Sequence, residues 1–433
     1  MNIIDIINKK SDGQELSEKE INFFVKEYTG KNPTIADYQA SSFLMAVKLK
    51  GMTVKETYYL TKAIIESGEV FDLSSVNGIK IDKHSTGGVG DKVSLILGPM
   101  CVALGLKVAK LSSIGLGHTG GTIDKLASIG VNTVMTNHQA LINLKKVGMF
   151  IMAQTPSICP ADKVLCSIRN ATATVQALPL ICASVLSKKI ALKTDYIFID
   201  LKYGSGAFME NSKQAIECGK LMMKVLKMFK RKGLIHITCM KQPLGRSIGN
   251  TIEVRSAINF LKGKPVNSFV KELIYEFVVD ILLTTKKTKT KKEAYKKIDE
   301  VIHNGKAYEC FEKWAIAQGS SKHILNSEIF RPAYKHEVKA VKNGYIAYKS
   351  AKEVGLISCY LGAGRIKKDD IVDPQAGIYL NKAYNDKAKI GETIATLYSS
   401  NPIPKDLIKR FQANTLYSNK KFQSEKPILE VIK

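Results

Sequence analysis

The chain has 433 residues, 45% of them hydrophobic and 24% charged, which is long enough for two or three domains with cores of their own and excludes a disordered chain. Lys and Arg number 65 against 39 Asp and Glu, a formal charge of +26 that draws anions in general. The lysines are spread along the chain without the motif of a nucleic-acid-binding module, so no specific nucleic-acid partner is expected.

Residues 1–66 read as helices. Ser17 to Glu20 and Thr53 to Glu56 are capping boxes ahead of apolar-periodic runs, and Asp37 is the expected N-cap of a helix carrying Phe43, Leu44 and Val47. The start, Met-Asn-Ile-Ile-Asp, has no basic region followed by an apolar stretch, and no apolar run approaches the length of a membrane span. The eight cysteines show no CxxC and no metal-ligand spacing. They read as buried thiols in a reducing compartment, so the expected location is cytoplasmic, with no membrane partner.

Two glycine-rich stretches follow. Lys83-His84-Ser85-Thr86-Gly87-Gly88-Val89-Gly90-Asp91 comes after an apolar alternation at Ile79 and Ile81 and leads into the helix-like run Val93 to Leu104. Such a loop at a helix N-terminus lets backbone N–H groups approach an anion. Gly115 to Leu126, GLGHTGGTIDKL, follows the strand-like run Lys107 to Leu111 in the same way. Two strand, glycine-loop, helix units place both loops at one edge of a sheet, where ligands of open α/β sheets bind.

The segment around Leu141 to Ile151 is ambiguous between helix end and strand. Helix-like segments then open at Pro160 and run from Leu180 to Lys189, with Ser184 and Lys188 at i and i+4 on one face. Tyr196 to Leu201 and Leu234 to Met240 read as buried strands on either side of a covering helix from Ser212. The lysine-rich run 286–292 reads as a solvated loop or helix start. Beyond Pro332, short glycine-punctuated β segments indicate a separate C-terminal domain.

KHSTGGVGD at 83–91 and GLGHTGGTIDKL at 115–126, with the surrounding blocks, resemble the thymidine and pyrimidine-nucleoside phosphorylases over almost the whole chain. The resemblance, with the elements above, implies a mixed α and α/β architecture. It has a small all-helical domain (1–66 and 161–191), a larger α/β domain with a mostly parallel sheet (78–157 and 194–330) and a C-terminal α+β domain (331–433). The implied reaction is attack of inorganic phosphate on C1′ of a pyrimidine nucleoside, as a homodimer. By resemblance, Lys83, Ser85, Ser94, Ser112 and Thr122 hold phosphate, Arg169, Ser184 and Lys188 bind the pyrimidine, and His84 is the catalytic donor to the leaving base. Ser113 and Asp162 are secondary candidates, His118 is read as structural, and Asp91 and Asp124 brace the loops. No metal or resident cofactor is implied, phosphate being a co-substrate. A monovalent cation is the one ion the resemblance raises, with Lys92 beside the loop as a group that makes it unnecessary.

The chain departs from the family pattern at Ile114, where an Arg is usual, and at Ala127, Asn170 and Lys92. Lys92 is expected to supply part of the charge absent at Ile114. Two other readings compete with phosphorolysis: a phosphoribosyltransferase of related fold, and a catalytically impaired pyrimidine-binding homologue.

Overall fold

The computed structural model describes every residue except Leu116, Thr119, Ser327, Lys368 and Asp369. Leu116 and Thr119 of the second glycine-rich stretch therefore lie outside the described residues.

Four helices open the chain: α1 (Ile3–Ser11), α2 (Glu18–Thr29), α3 (Asp37–Lys50) and α4 (Val54–Glu66). Both expected capping boxes form. The expected cap at Asp37 is corrected by one residue. Ala36 holds the extended N-cap backbone, and its N–H donates to Gln39 at 3.0 Å, while the Asp37 carboxylate accepts the Tyr28 hydroxyl at 3.0 Å. Glu56 does more than cap α4: it is fully buried and accepts from the Lys10 ammonium at 2.7 Å and the Leu16 N–H at 2.9 Å. Replacing Glu56 by Ala leaves the buried Lys10 ammonium without its carboxylate, with only the Gln14 carbonyl at 3.3 Å, and the Leu16 N–H without its acceptor. It is expected to destabilise the fold by about 3–5 kcal/mol, read as a shift in denaturant midpoint.

The sheet begins with β1 (Lys80–Ser85), α5 (Val93–Ala103), β2 (Lys107–Ser112), α6 (Thr122–Ala127), α7 (Asn137–Val147) and β3 (Met149–Ala153). Gly148, at φ +85°, separates α7 from β3 and resolves the ambiguity of that segment. The chain then returns to the helical bundle as α8 (Pro160–Ala171) and α9 (Leu178–Ala191), packed on α2 to α4. It re-enters the sheet through β4 (Tyr196–Tyr203), α10 (Ser212–Met228) and β5 (Lys232–Cys239). These five strands are parallel in the order β3-β2-β1-β4-β5. Their side chains alternate between two cores. Ile197, Ile199 and Leu201 face the helical bundle and α10, whereas Phe198 and Ile81 face α5 and the helices beyond it.

After β6 (Ser247–Gly249), the helices α11 (Thr251–Leu261), α12 (Ser268–Thr284), α13 (Lys291–His303), α14 (Lys306–Ala317) and α15 (Lys322–Asn326) follow. Buried Leu273, Ile274, Phe277 and Ile281 of α12 fill the second core. The remainder comprises β7 (Tyr334–Lys339), β8 (Gly344–Tyr348), α16 (Ala351–Ser358), β9 (Gly377–Tyr379), β10 (Lys387–Ala388), β11 (Thr393–Ser399), α17 (Lys405–Asn414), β12 (Thr415–Ser418) and β13 (Ile428–Ile432). It forms two small sheets, β10-β8-β12 and β6-β9-β11-β7. The division expected at 330/331 is crossed in both directions. β6 pairs with β9 in the C-terminal sheet, and β13 returns to pair antiparallel with β5 at the edge of the large sheet.

Candidate active site

The strand order reverses at β1: β2 lies on one side of it and β4 on the other. The loop after β1 therefore emerges at a topological switch point, with the loop after β2 beside it. Backbone geometry demands glycine at two places there. Gly90 has φ +77°, and a Cβ on it would lie 2.9 Å from the Leu244 carbonyl oxygen. A Cβ on Gly121 would lie 2.0 Å from the Gly115 nitrogen, because the second loop folds back on itself. The two aspartates brace these loops as expected. Asp91 accepts from the Val93 N–H at 3.2 Å, and Asp124 accepts from the Gly115 N–H at 2.6 Å and from Arg365 of the C-terminal domain at 2.6 Å. Lys125 joins the loops, donating to the Asp91 carbonyl and pairing with Glu253, both at 2.8 Å.

Between the loops and helices α8 and α9 lies a cavity of about 420 Å³. Of the nine residues singled out from the sequence, His84, Ser85, Ser112, Thr122 and Lys188 line it. The other four stand behind its walls. Lys83 alternates with His84 along β1, so its ammonium points to the opposite face, where it pairs with Asp200 at 2.8 Å. Ser94 is buried in the first turn of α5. The Arg169 guanidinium donates to the carbonyls of Leu180 at 3.2 Å and Val175 at 2.8 Å, fixing the turn between α8 and α9. Ser184 accepts from the Lys188 ammonium at 3.2 Å, as the i, i+4 spacing requires. The Lys188 ammonium also pairs with buried Asp162. Ser113, Ile114 and Asn170 line the cavity, whereas Ala127 is exposed outside it. His118 is not part of this wall; its ring stands edge-on to Phe208, with centroids 5.9 Å apart.

Lys92 does not supply the charge absent at Ile114, because its ammonium turns away to the carbonyls of Gly90 and Leu244. Two residues that were not singled out do bring charge to this wall. Lys110 projects from β2 and donates to the Lys83 carbonyl at 2.6 Å; Lys189 donates to the Leu111 carbonyl at 3.0 Å and pairs with Asp82 at 2.9 Å. The signal for Lys110 was present: a lysine inside an otherwise apolar parallel strand is a buried charge that needs a reason.

Burial pushes the Lys110 ammonium down to about 7, with Lys189 and Lys83 adding repulsion against the attraction of Asp82 and Asp91. Burial likewise holds the His84 imidazole well below its ordinary value, and the ammoniums of Lys189, Lys110, Lys188 and Lys83 push the same way. Burial opposes the charge of Asp91, but Lys202, Lys83 and Lys125 outweigh it and keep its carboxyl well below the usual range. The Ser85 hydroxyl donates to that carboxylate at 2.5 Å. The arrangement is a neutral imidazole between a set of ammoniums and loop hydroxyls on one side and a helix-borne Lys–Ser pair on the other. It suits an anion on the first side and a polar ring edge on the second.

Residues 4–68 match the helical bundle domain of the glycosyl transferase family, residues 77–308 match that family's a/b domain, and residues 345–418 match the pyrimidine nucleoside phosphorylase C-terminal domain. The chain is 45% identical to a thymidine phosphorylase of Mycoplasma genitalium, over 97% of this chain and 100% of that one. It is 48% identical to a thymidine phosphorylase of Mycoplasmoides pirum (95% and 98% covered) and 42% identical to a pyrimidine-nucleoside phosphorylase of Bacillus subtilis (96% of each). Among solved structures, anthranilate phosphoribosyltransferase from Thermus thermophilus shares the fold with a TM-score of 0.58 at 16% identity, covering 72% of this chain and 98% of that one. At such full-length identity, and with all three domain types in order, the chain belongs to the thymidine and pyrimidine-nucleoside phosphorylase family.

Proposed function

We infer that this protein is a pentosyltransferase that splits pyrimidine nucleosides with inorganic phosphate, giving the free base and a pentose 1-phosphate. The observation that carries this reading is the single cavity whose walls bear both halves of the required chemistry. Lys110, Lys189, Ser85, Ser112 and Thr122 offer cations and hydroxyls for phosphate, and Lys188 with Ser184 behind it offers a grip for the base. Phosphate oxygen forms a bond to C1′ as the bond from C1′ to the ring nitrogen breaks, and the electron pair leaves with the base. Charge therefore develops on the base, where a donor from His84 and the Lys188 ammonium stabilise it, and the proton carried by phosphate ends on the base. Lys83, Ser94 and Arg169 then act from behind the walls: Lys83 and Ser94 beneath the first loop, Arg169 by holding the α8–α9 turn that carries the base grip. The reaction takes phosphate as a co-substrate and no resident cofactor.

Release of free base from uridine, thymidine and deoxyuridine, each with and without phosphate, tests the reading. Phosphate-dependent release supports it. Uracil binding without release would instead favour the impaired homologue, and dependence on magnesium and pyrophosphate would favour a phosphoribosyltransferase.

Lys110 gives a pH signature. Because its folded value is lowered from 10.5 to about 7, the free enzyme loses this ammonium as pH rises through about 7. A bound phosphate dianion favours the protonated form, so the wild-type KM for phosphate is expected to climb between pH 7 and 9. Replacing Lys110 by Met is expected to raise that KM at neutral pH by about 10- to 100-fold and to flatten the climb.

We further propose a homodimer and a cytoplasmic location. Ile4 on α1 and Tyr38 and Leu49 on α3 are large exposed apolar side chains of the helical domain that a second copy would cover. All eight cysteines are free thiols, as suits a reducing compartment. No helix among the described residues is long and apolar enough to cross a membrane.

A further inference from the structure

Lys92 is the last residue of the first glycine loop before α5, and the residue is 2% exposed. Its ammonium donates to the carbonyls of Gly90, at 2.5 Å, and Leu244, at 2.8 Å, and it forms no ion pair among the described residues. A buried ammonium is normally matched by a carboxylate. Here the partners are main-chain carbonyls from two segments that already lie against each other. The Leu244 N–H donates to the Val89 carbonyl at 2.9 Å, and the Leu244 and Ser247 carbonyl oxygens would lie 2.9 and 3.2 Å from a Cβ on Gly90. Carbonyls converging on one positive centre, with the Glu253 carboxylate attracting it from further off, are the surroundings of a bound monovalent cation. The cation that the resemblance raised does not fit here, because the ammonium already fills the space between those carbonyls.

We propose that the Lys92 ammonium serves as a built-in monovalent cation, clamping the first glycine loop to the 244–247 segment and making an exchangeable potassium or sodium ion unnecessary. The consequence for chemistry is positional. The clamp fixes Gly90, its neighbour Asp91 holds the Ser85 hydroxyl at 2.5 Å, and Ser85 lines the cavity. Burial presses the Lys92 pKa down to about 8, so the carbonyls and Glu253 hold a charge that its surroundings otherwise disfavour.

The test uses the full chain in potassium chloride, sodium chloride and choline chloride at equal ionic strength, reading thermal midpoint without substrate and phosphate-dependent base release with it. Only the second readout rests on the phosphorolysis reading, so failure of that reading leaves the melting result interpretable. For the wild type, both readouts are expected to be the same in the three salts. Lys92→Ala in choline chloride is expected to lose about tenfold or more in kcat/KM for phosphate and to melt lower, with both recovered in a saturable manner by potassium chloride. Lys92→Met, whose chain fills the space without a charge, is expected to show the loss without the recovery. A wild type that requires potassium overturns the proposal whatever the variants do. So does a Lys92→Ala protein that melts at the same temperature in choline and potassium salts.

Discussion

Replacing His84 by Ala is expected to lower kcat by about 10²- to 10³-fold while the KM for phosphate stays close to wild type. His84 lies on the cavity wall with the ammonium cluster and the base grip, and on the proposed reading the ammoniums of Lys110 and Lys189 set the anion affinity. Removing the imidazole therefore deletes an interaction realised as charge develops on the leaving base, a loss in kcat rather than in phosphate binding. Its protonation state fixes the pH profile. Burial and four surrounding ammoniums hold the His84 pKa well below the ordinary 6.5, so the ring remains neutral, with one N–H to donate, at pH values where an exposed histidine is already half protonated. The acid limb of kcat/KM is expected to lie below 6.5, and in the Ala variant that limb should disappear along with the rate. A wild-type profile falling through 6.5 would mean that the imidazole is not held neutral. His118→Ala is the control: that ring does not line the cavity but packs from outside on Phe208, which does, and its loss should leave the acid limb in place.

What was legible in the sequence follows from the range of the interactions concerned. Both capping boxes, the helix beginning after Asp91 and the Ser184–Lys188 contact are written within four residues, and each forms as read. The glycine loops were recognisable because only glycine tolerates the positive φ at Gly90 and the backbone contact at Gly121. Features set by distant partners were not legible. The Asp37 cap moved by one residue once Tyr28, nine residues away, claimed the carboxylate. The return of β13 to the large sheet depends on β5, almost two hundred residues earlier. Lys92 adjoins a phosphate loop in sequence, whereas Leu244, 152 residues on, decides where its ammonium points. Lys83 and His84 are adjacent letters of one motif, yet strand alternation sends them to opposite faces and gives Lys83 to Asp200.

The second large effect is expected at Lys188. Its ammonium is held by buried Asp162 of α8 and by Ser184 one turn earlier on α9, and it lines the cavity beside Ile181 and Val185. Lys188→Ala removes the cation that faces the base and uncovers a carboxylate that repels the negative charge developing there, so both changes oppose the reaction. Breaking a buried pair costs fold stability, about 3–5 kcal/mol. Losing a charged donor aimed at the leaving base is a separate, catalytic loss, expected to lower kcat/KM for the nucleoside by about 10²- to 10³-fold with little change in the KM for phosphate. Lys188→Arg should not restore the rate, because the planar guanidinium cannot reproduce a compact ammonium shared between Asp162 and Ser184. The decisive comparison is a double-mutant cycle with Asp162→Asn. If the uncovered carboxylate causes much of the damage, Asp162→Asn with Lys188→Ala should be faster than Lys188→Ala alone, and the two substitutions should be strongly non-additive. Strict additivity would mean that Lys188 acts on substrate independently of the pair that holds it, and that Asp162 only anchors α8 to α9.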